Sequence, residues 1–219
     1  MKKVALNIIS SSKISAPTKI DDLEEKRIIP NMMIRRRLTR NAKIMLYLSD
    51  KCGFSGDEGS GKVVYGSCYS EIQTTVVISN SILNNTPISP TSFQNSVYNS
   101  APSYFSLINK DKDEIITISS GMNSSRDAIK TAALQALVSG EKVFCVATEC
   151  LNIENIEEVN SCTTFLEAGA GVVLEIAEDS SDAKEIEDLR DEGIIDSLQD
   201  LISLVNMHKN GVNKILVEL

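Results

Sequence analysis

Tryptophan is missing from this 219-residue chain, and histidine occurs once, at His208. A mechanism that needs two imidazoles within the chain is thereby excluded. The five cysteines (Cys52, Cys68, Cys145, Cys150 and Cys162) are odd in number and include no C-x-x-C pair. That pattern gives neither a disulfide framework nor a zinc site and suits reduced thiols in a cytoplasm. Positive charge is scarce too: 22 Lys+Arg face 30 Asp+Glu, a net charge of -8, so the broad basic face of a nucleic-acid binder is not expected. Long apolar runs are also lacking. The opening MKKVALNIISSS is broken at Asn7, shorter than a signal-peptide core and far below a membrane span, and a cytoplasmic location is expected.

What is present suits one globular core. Hydrophobic residues make up 42% and charged residues 24% of the chain, which argues against disorder, collagen and small disulfide scaffolds. Residues 4–9 form a β-branched run that reads as a buried first strand ended by serines. Residues 33–48 place Met33, Leu38, Ala42, Met45 and Leu46 at helical spacings with Arg35, Arg36, Arg37, Arg40 and Lys43 between them. This predicts one amphipathic helix with a basic face. The segment CGFSGDEGSG reads as a loop and KVVYGS as a strand, residues 69–83 turn helical, and residues 84–103 make an ordered connection with short helical turns.

The stretch from residue 114 onward is the most informative. EIITIS reads as a strand, Ser120-Gly121 as a tight turn, SSRDAIKTAALQALV as a helix and KVFCVAT as the next strand. That is a right-handed βαβ unit and implies a parallel sheet. AGAGVVLEI continues the sheet; residues 178–192 read as a solvated acidic loop or frayed helix. A helix over 194–207 and a strand over 214–217 complete one α/β domain spanning residues 1–219.

A strand, sharp turn and helix is where α/β enzymes present a nucleophile. In the turn SSGMNSS the exposed position is Met122, which cannot be deprotonated or acylated. Ser124 and Ser125 fall in the first helical turn, where capping or packing is the expected role. Cys145 and Cys150 lie on or just after a strand and read as small buried hydrophobes. Cys52 and Cys68 lie near loops, with no histidine nearby in sequence; His208 falls near a helix end, where a structural role is expected. CGFSGDEGSGK is not a phosphate loop, because Lys62 is followed by Val63 and the segment precedes a strand.

SPTSFQNSVYNSAPSYFSL followed by ITISSGMNSSRDAIKTAALQALVSGEKVFCVATECL resembles the N-terminal half of β-ketoacyl synthases of the thiolase fold. The resemblance runs from about Lys62 to Leu151 and more weakly over most of the chain. It implies a thiolase-like half, a mainly parallel sheet with helices on both faces. It also sets Met122 on the position of the family's cysteine, and the chain ends where the second half, with its two catalytic histidines, would begin. The serine-rich stretch is similar to short chain-length-factor-like proteins of aryl polyene and related clusters.

What the resemblance implies is a catalytically inactive accessory subunit in fatty-acid or polyketide biosynthesis, with no cofactor, no metal and no independent enzyme activity expected. Its partners would be a full-length ketosynthase, an acyl carrier protein, or both, in a homodimer or heterodimer. Arg35, Arg36, Arg37 and Arg40 are candidates for docking an acidic carrier or partner, or else pair with the chain's own carboxylates. Two alternatives remain: an acyltransferase or hydrolase with a relocated cysteine nucleophile, and an acyl-binding module. The apolar central helix must be covered, either by residues 194–219 folding back or by a second protomer.

Overall fold

In the computed structural model, residues 2–54, 61–154, 156 and 166–219 are described. Strand β1 (Lys3–Ala16) is followed by helices α1 (Glu25–Ile28), α2 (Met32–Arg35) and α3 (Arg40–Lys51), then by β2 (Lys62–Gly66). Three helices, α4 (Ile72–Leu83), α5 (Pro90–Asn95) and α6 (Ser100–Asn109), lead to β3 (Ile115–Ile118). Helix α7 (Ser124–Ser139), strands β4 (Val143–Cys150), β5 (Glu167–Ile176) and β6 (Lys184–Glu185), helix α8 (Asp196–Lys209) and β7 (Lys214–Glu218) complete the order.

The described strands form one mixed sheet in the order β3-β2-β4-β5-β1-β7-β6. Pairing is parallel for β3-β2, β2-β4 and β6-β7, and antiparallel for β4-β5, β5-β1 and β1-β7. The β3-α7-β4 unit therefore steps over β2, which lies between its two strands. Helices cover both faces, as an α/β fold requires. Along β4 the side chains divide strictly by period: Val143, Cys145 and Ala147 join the cluster under α7 and α8, while Phe144, Val146 and Cys150 join the cluster under α3 and α6. A strand buried on both faces needs no polar alternation, which is why KVFCVAT reads as an unbroken apolar run.

Two elements differ from the sequence expectation. β1 does not stop at the serines but continues through Ser10–Ser15, paired with residues 168–173 of β5; serine hydroxyls are tolerated there because that half of the strand is only partly covered. The single helix over 33–48 is two. Asn31 caps α2, its side chain accepting from the Met33 and Ile34 amides, and Thr39 caps α3, accepting from the Ala42 amide at 3.2 Å. A capping side chain satisfies amides that a continuous helix would bond to carbonyls, so Thr39 marks a fresh start. In the acidic run the only regular element is the two-residue β6.

Helix α8 packs on α7. Ala128, Ile129, Ala132, Ala133 and Ala136 are buried beneath it and the sheet, so the chain's own C-terminal segment covers that face. The opposite side of α7 stays open: Leu134, Leu137 and Val138 are 47%, 37% and 76% exposed.

Candidate functional site

The carboxyl ends of β2, β3 and β4 meet at one edge of the parallel part of the sheet, the place where open α/β sheets present their sites. Ile118 ends β3, Ser119–Asn123 make the turn and α7 begins at Ser124. Gly121 takes φ +57, a left-handed conformation that a side chain would strain. The turn is held by its serine: Ser124 Oγ donates to the Gly121 carbonyl at 2.6 Å and accepts from the Ser120 amide at 3.1 Å. Met122 sits on this elbow, partly buried against the α7-α8 core.

The surroundings of the elbow are ordered by one carboxylate. Glu149, at the end of β4 and fully buried, accepts from the Cys68 and Tyr69 amides, from Ser67 Oγ at 3.1 Å and from Ser197 Oγ at 2.9 Å. It thus ties the exit of β2 to the first turn of α8. Burial pushes its pKa up to about 7, against those hydrogen bonds, which lower it. From the same exit loop, the Cys68 carbonyl accepts from Tyr98 Oη, and Ser119 Oγ donates to Tyr98 Oη at 2.8 Å. Sequence reading did not single out Glu149 or Tyr98. An acid closing an otherwise apolar strand, ATEC, was the available signal for the first; Tyr98 offered none.

The four described cysteines all have raised thiol pKa values. Burial pushes the Cys52 thiol up to about 12 and, with Glu149 adding to it, the half-buried Cys68 thiol up to about 11. Cys145 and Cys150 are buried in the sheet and raised by desolvation. Thiolate is the reactive form, and raised values keep it scarce. Cys162 lies outside the described residues. His208 faces none of these sulfurs in its described contacts: its Nδ1 is 2.8 Å from Ser11 Oγ on β1, and burial lowers its pKa. Ser125 is buried with no hydrogen-bond partner for its hydroxyl among the described residues.

The arginines part company. Arg40 is drawn inward, bonding Glu167 through Nε and Nη2, Glu25 through Nη1 at 3.1 Å and the Ile20 carbonyl. Arg35 donates to the Ile29 carbonyl at 2.6 Å. Arg36 and Arg37 lie exposed in the turn between α2 and α3 and make no ion pair among the described residues. Exposed apolar side chains gather on the α4–α6 excursion: Val77, Ile82, Leu83, Phe93 and Leu107 are each more than half exposed. Among the described residues no group of three or more His, Cys, Asp or Glu side chains is placed to share a metal ion, and no helix is long and apolar enough to cross a membrane.

This architecture, an elbow at the carboxyl ends of parallel strands inside a mixed α/β sheet, is that of the thiolase-like ketosynthases. The chain belongs to the family described as the beta-ketoacyl synthase N-terminal domain, whose model matches residues 11–191. Among solved structures it is similar to a ketosynthase (ApeO) in complex with its chain length factor (ApeC) from Xenorhabdus doucetiae, at 22% identity and a TM-score of 0.61, covering 80% of each chain. It is also similar to the ishigamide ketosynthase/chain length factor, at 13% identity and a TM-score of 0.64, covering 81% of this chain and 63% of that one. A third likeness is a type II PKS acyl-carrier protein in complex with its ketosynthase, AntDE:AntF, at 15% identity and a TM-score of 0.61, covering 82% and 65%. A search of curated proteins gives no match.

Proposed function

We propose that this chain is a catalytically silent, chain-length-factor-like subunit that works beside a partner ketosynthase in the cytoplasm, in fatty-acid or aryl polyene-type polyketide assembly. The observation that carries the reading is Met122 on the elbow: condensation begins with acyl transfer to a nucleophile, and a thioether cannot accept an acyl group through a thioester. The raised thiols of the described cysteines, and the described contact of His208 with Ser11 rather than with any of them, support this reading. The subunit then contributes shape and an interface, with Met122 filling the mouth of what would be the acyl pocket.

Open apolar surface on α4–α6 and on the outer side of α7 supports a protein partner, since such surface is disfavoured in water. The similar structures are, by their descriptions, ketosynthase complexes with a chain length factor or a carrier protein. Arg36 and Arg37 are the cations left free to steer an acidic carrier. The test is intact-mass spectrometry after incubation with an acyl-thioester probe, together with co-expression with a ketosynthase from the same genome. No adduct and a stable co-purifying complex are expected. A stoichiometric cysteine adduct on the chain alone would replace this reading with the relocated-nucleophile enzyme.

A further inference from the structure

Between α6 and β3 the chain reads Asn109-Lys110-Asp111-Lys112-Asp113, with oxygen-bearing residues at every second position. The two kinds of side chain are sorted: Lys110 and Lys112 are exposed, while Asp111 is 3% exposed and Asp113 half-buried. Asp111 Oδ1 accepts from the Asp113 amide at 2.8 Å. Among the described residues its Oδ2, buried, has no hydrogen-bond partner and the side chain makes no ion pair. A buried carboxylate oxygen with neither a donor nor a cation beside it is costly, because desolvation is then uncompensated. Neighbouring lysines that could relieve it point to solvent instead.

We propose that this loop binds a hard divalent cation, calcium or magnesium, with Asp111 Oδ2 as the buried ligand and Asp113 and Asn109 as the further side-chain oxygens. All-oxygen donors with two carboxylates suit such ions and exclude soft ones. The alternation of oxygen-bearing side chains follows the opening of calcium loops, with Asn109 at the first position where those loops have Asp. Glu114 stands where such loops have glycine and Ser120 where they end in glutamate, so the loop is not an EF-hand and its remaining ligands are carbonyls or water. The bound ion would fix the approach to β3, the edge strand that feeds the elbow at Met122. This inference is independent of the partner reading: it concerns a loop, not the interface or the nucleophile position.

The experiment uses the full chain, stripped with EDTA and dialysed, and titrated with calcium chloride and separately with magnesium chloride by calorimetry and thermal melting. Saturable binding of one ion with a rising melting temperature is expected, weakened at least about tenfold in Asp111→Asn, which keeps the shape and the Asp113 turn. Should that variant fail to fold by circular dichroism, Asp113→Asn gives the same reading from the half-buried ligand. Absence of saturable binding for both cations at millimolar concentration, or equal binding by the folded variant and the parent, overturns the proposal.

Discussion

The side chains that decide this molecule's behaviour are few, and the charged ones divide by what surrounds them. Glu167 is 1% exposed, and its compensation comes from Arg40 and the Ile20 amide. Removing the cation from such a pair strands a buried charge. Arg40→Ala is therefore expected to cost on the order of 3–5 kcal/mol, measured by urea denaturation. The double variant Arg36→Ala, Arg37→Ala removes two exposed cations that make no ion pair among the described residues and should stay within about 1 kcal/mol of the parent. Its effect should fall on carrier or partner binding, as a slower, less salt-sensitive association. Equal losses of stability in the two variants would mean that burial is not what separates these arginines. Their sequence run, RRRLTR, gives no hint of the division, because what separates them is a partner 127 residues away in the chain.

At the scale of elements, the close approach of α3 to the sheet rests on the small residues of β5. A Cβ added at Gly169 would lie 2.7 Å from Ile44 Cγ2, 3.0 Å from Leu48 Cδ1 and 3.1 Å from the Ala147 carbonyl oxygen. The last of these is backbone and cannot swing aside. Gly169→Ala is expected to destabilise by about 1–3 kcal/mol through overpacking, read as a shift in the urea midpoint at unchanged slope. The strand holding that glycine was legible, as were β2, β3, β4, α7, α8 and β7, because apolar runs and periods declare themselves. The purpose of its glycines was not, since it depends on a helix more than 100 positions earlier. The elbow was legible for a similar local reason: a β-branched run, a glycine turn and an alanine-rich helix are contiguous. Glu149 was not, because its four donors come from the β2 exit and from α8. The serine cluster after Ile9 reads as a strand's end, and only the ladder with β5 carries β1 on to Ala16.

The whole molecule carries a net charge of -8 and keeps two of its acids under the sheet's carboxyl edge, which gives its stability a direction in pH. Burial pushes Glu71 and Glu149 up to about 7 each, partly offset by hydrogen bonds to Thr39 and Asn41 for Glu71. In an unfolded chain a glutamate titrates near 4.3. Between about pH 4.3 and about 7 the folded state therefore holds more protons than the unfolded one, and linkage makes stability fall as pH rises through that window. The exposed acids act in the opposite sense at lower pH. Hydrogen bonds to Lys51 and Arg27 hold Glu24 low, and a bond to Arg27 holds Asp50 low, so stability from those pairs is present above about pH 4 and lost below it. The two trends cross near pH 4, where the melting temperature should peak, and stability should decline from there to about pH 7 by the equivalent of a few kcal/mol. Glu71→Gln keeps an oxygen for Thr39 Oγ1, which donates to Glu71 at 2.7 Å, but cannot ionise, so the decline between about pH 4.3 and about 7 should be shallower in that variant. A melting profile equally steep in parent and variant would locate the pH dependence in overall charge repulsion rather than in the buried acids.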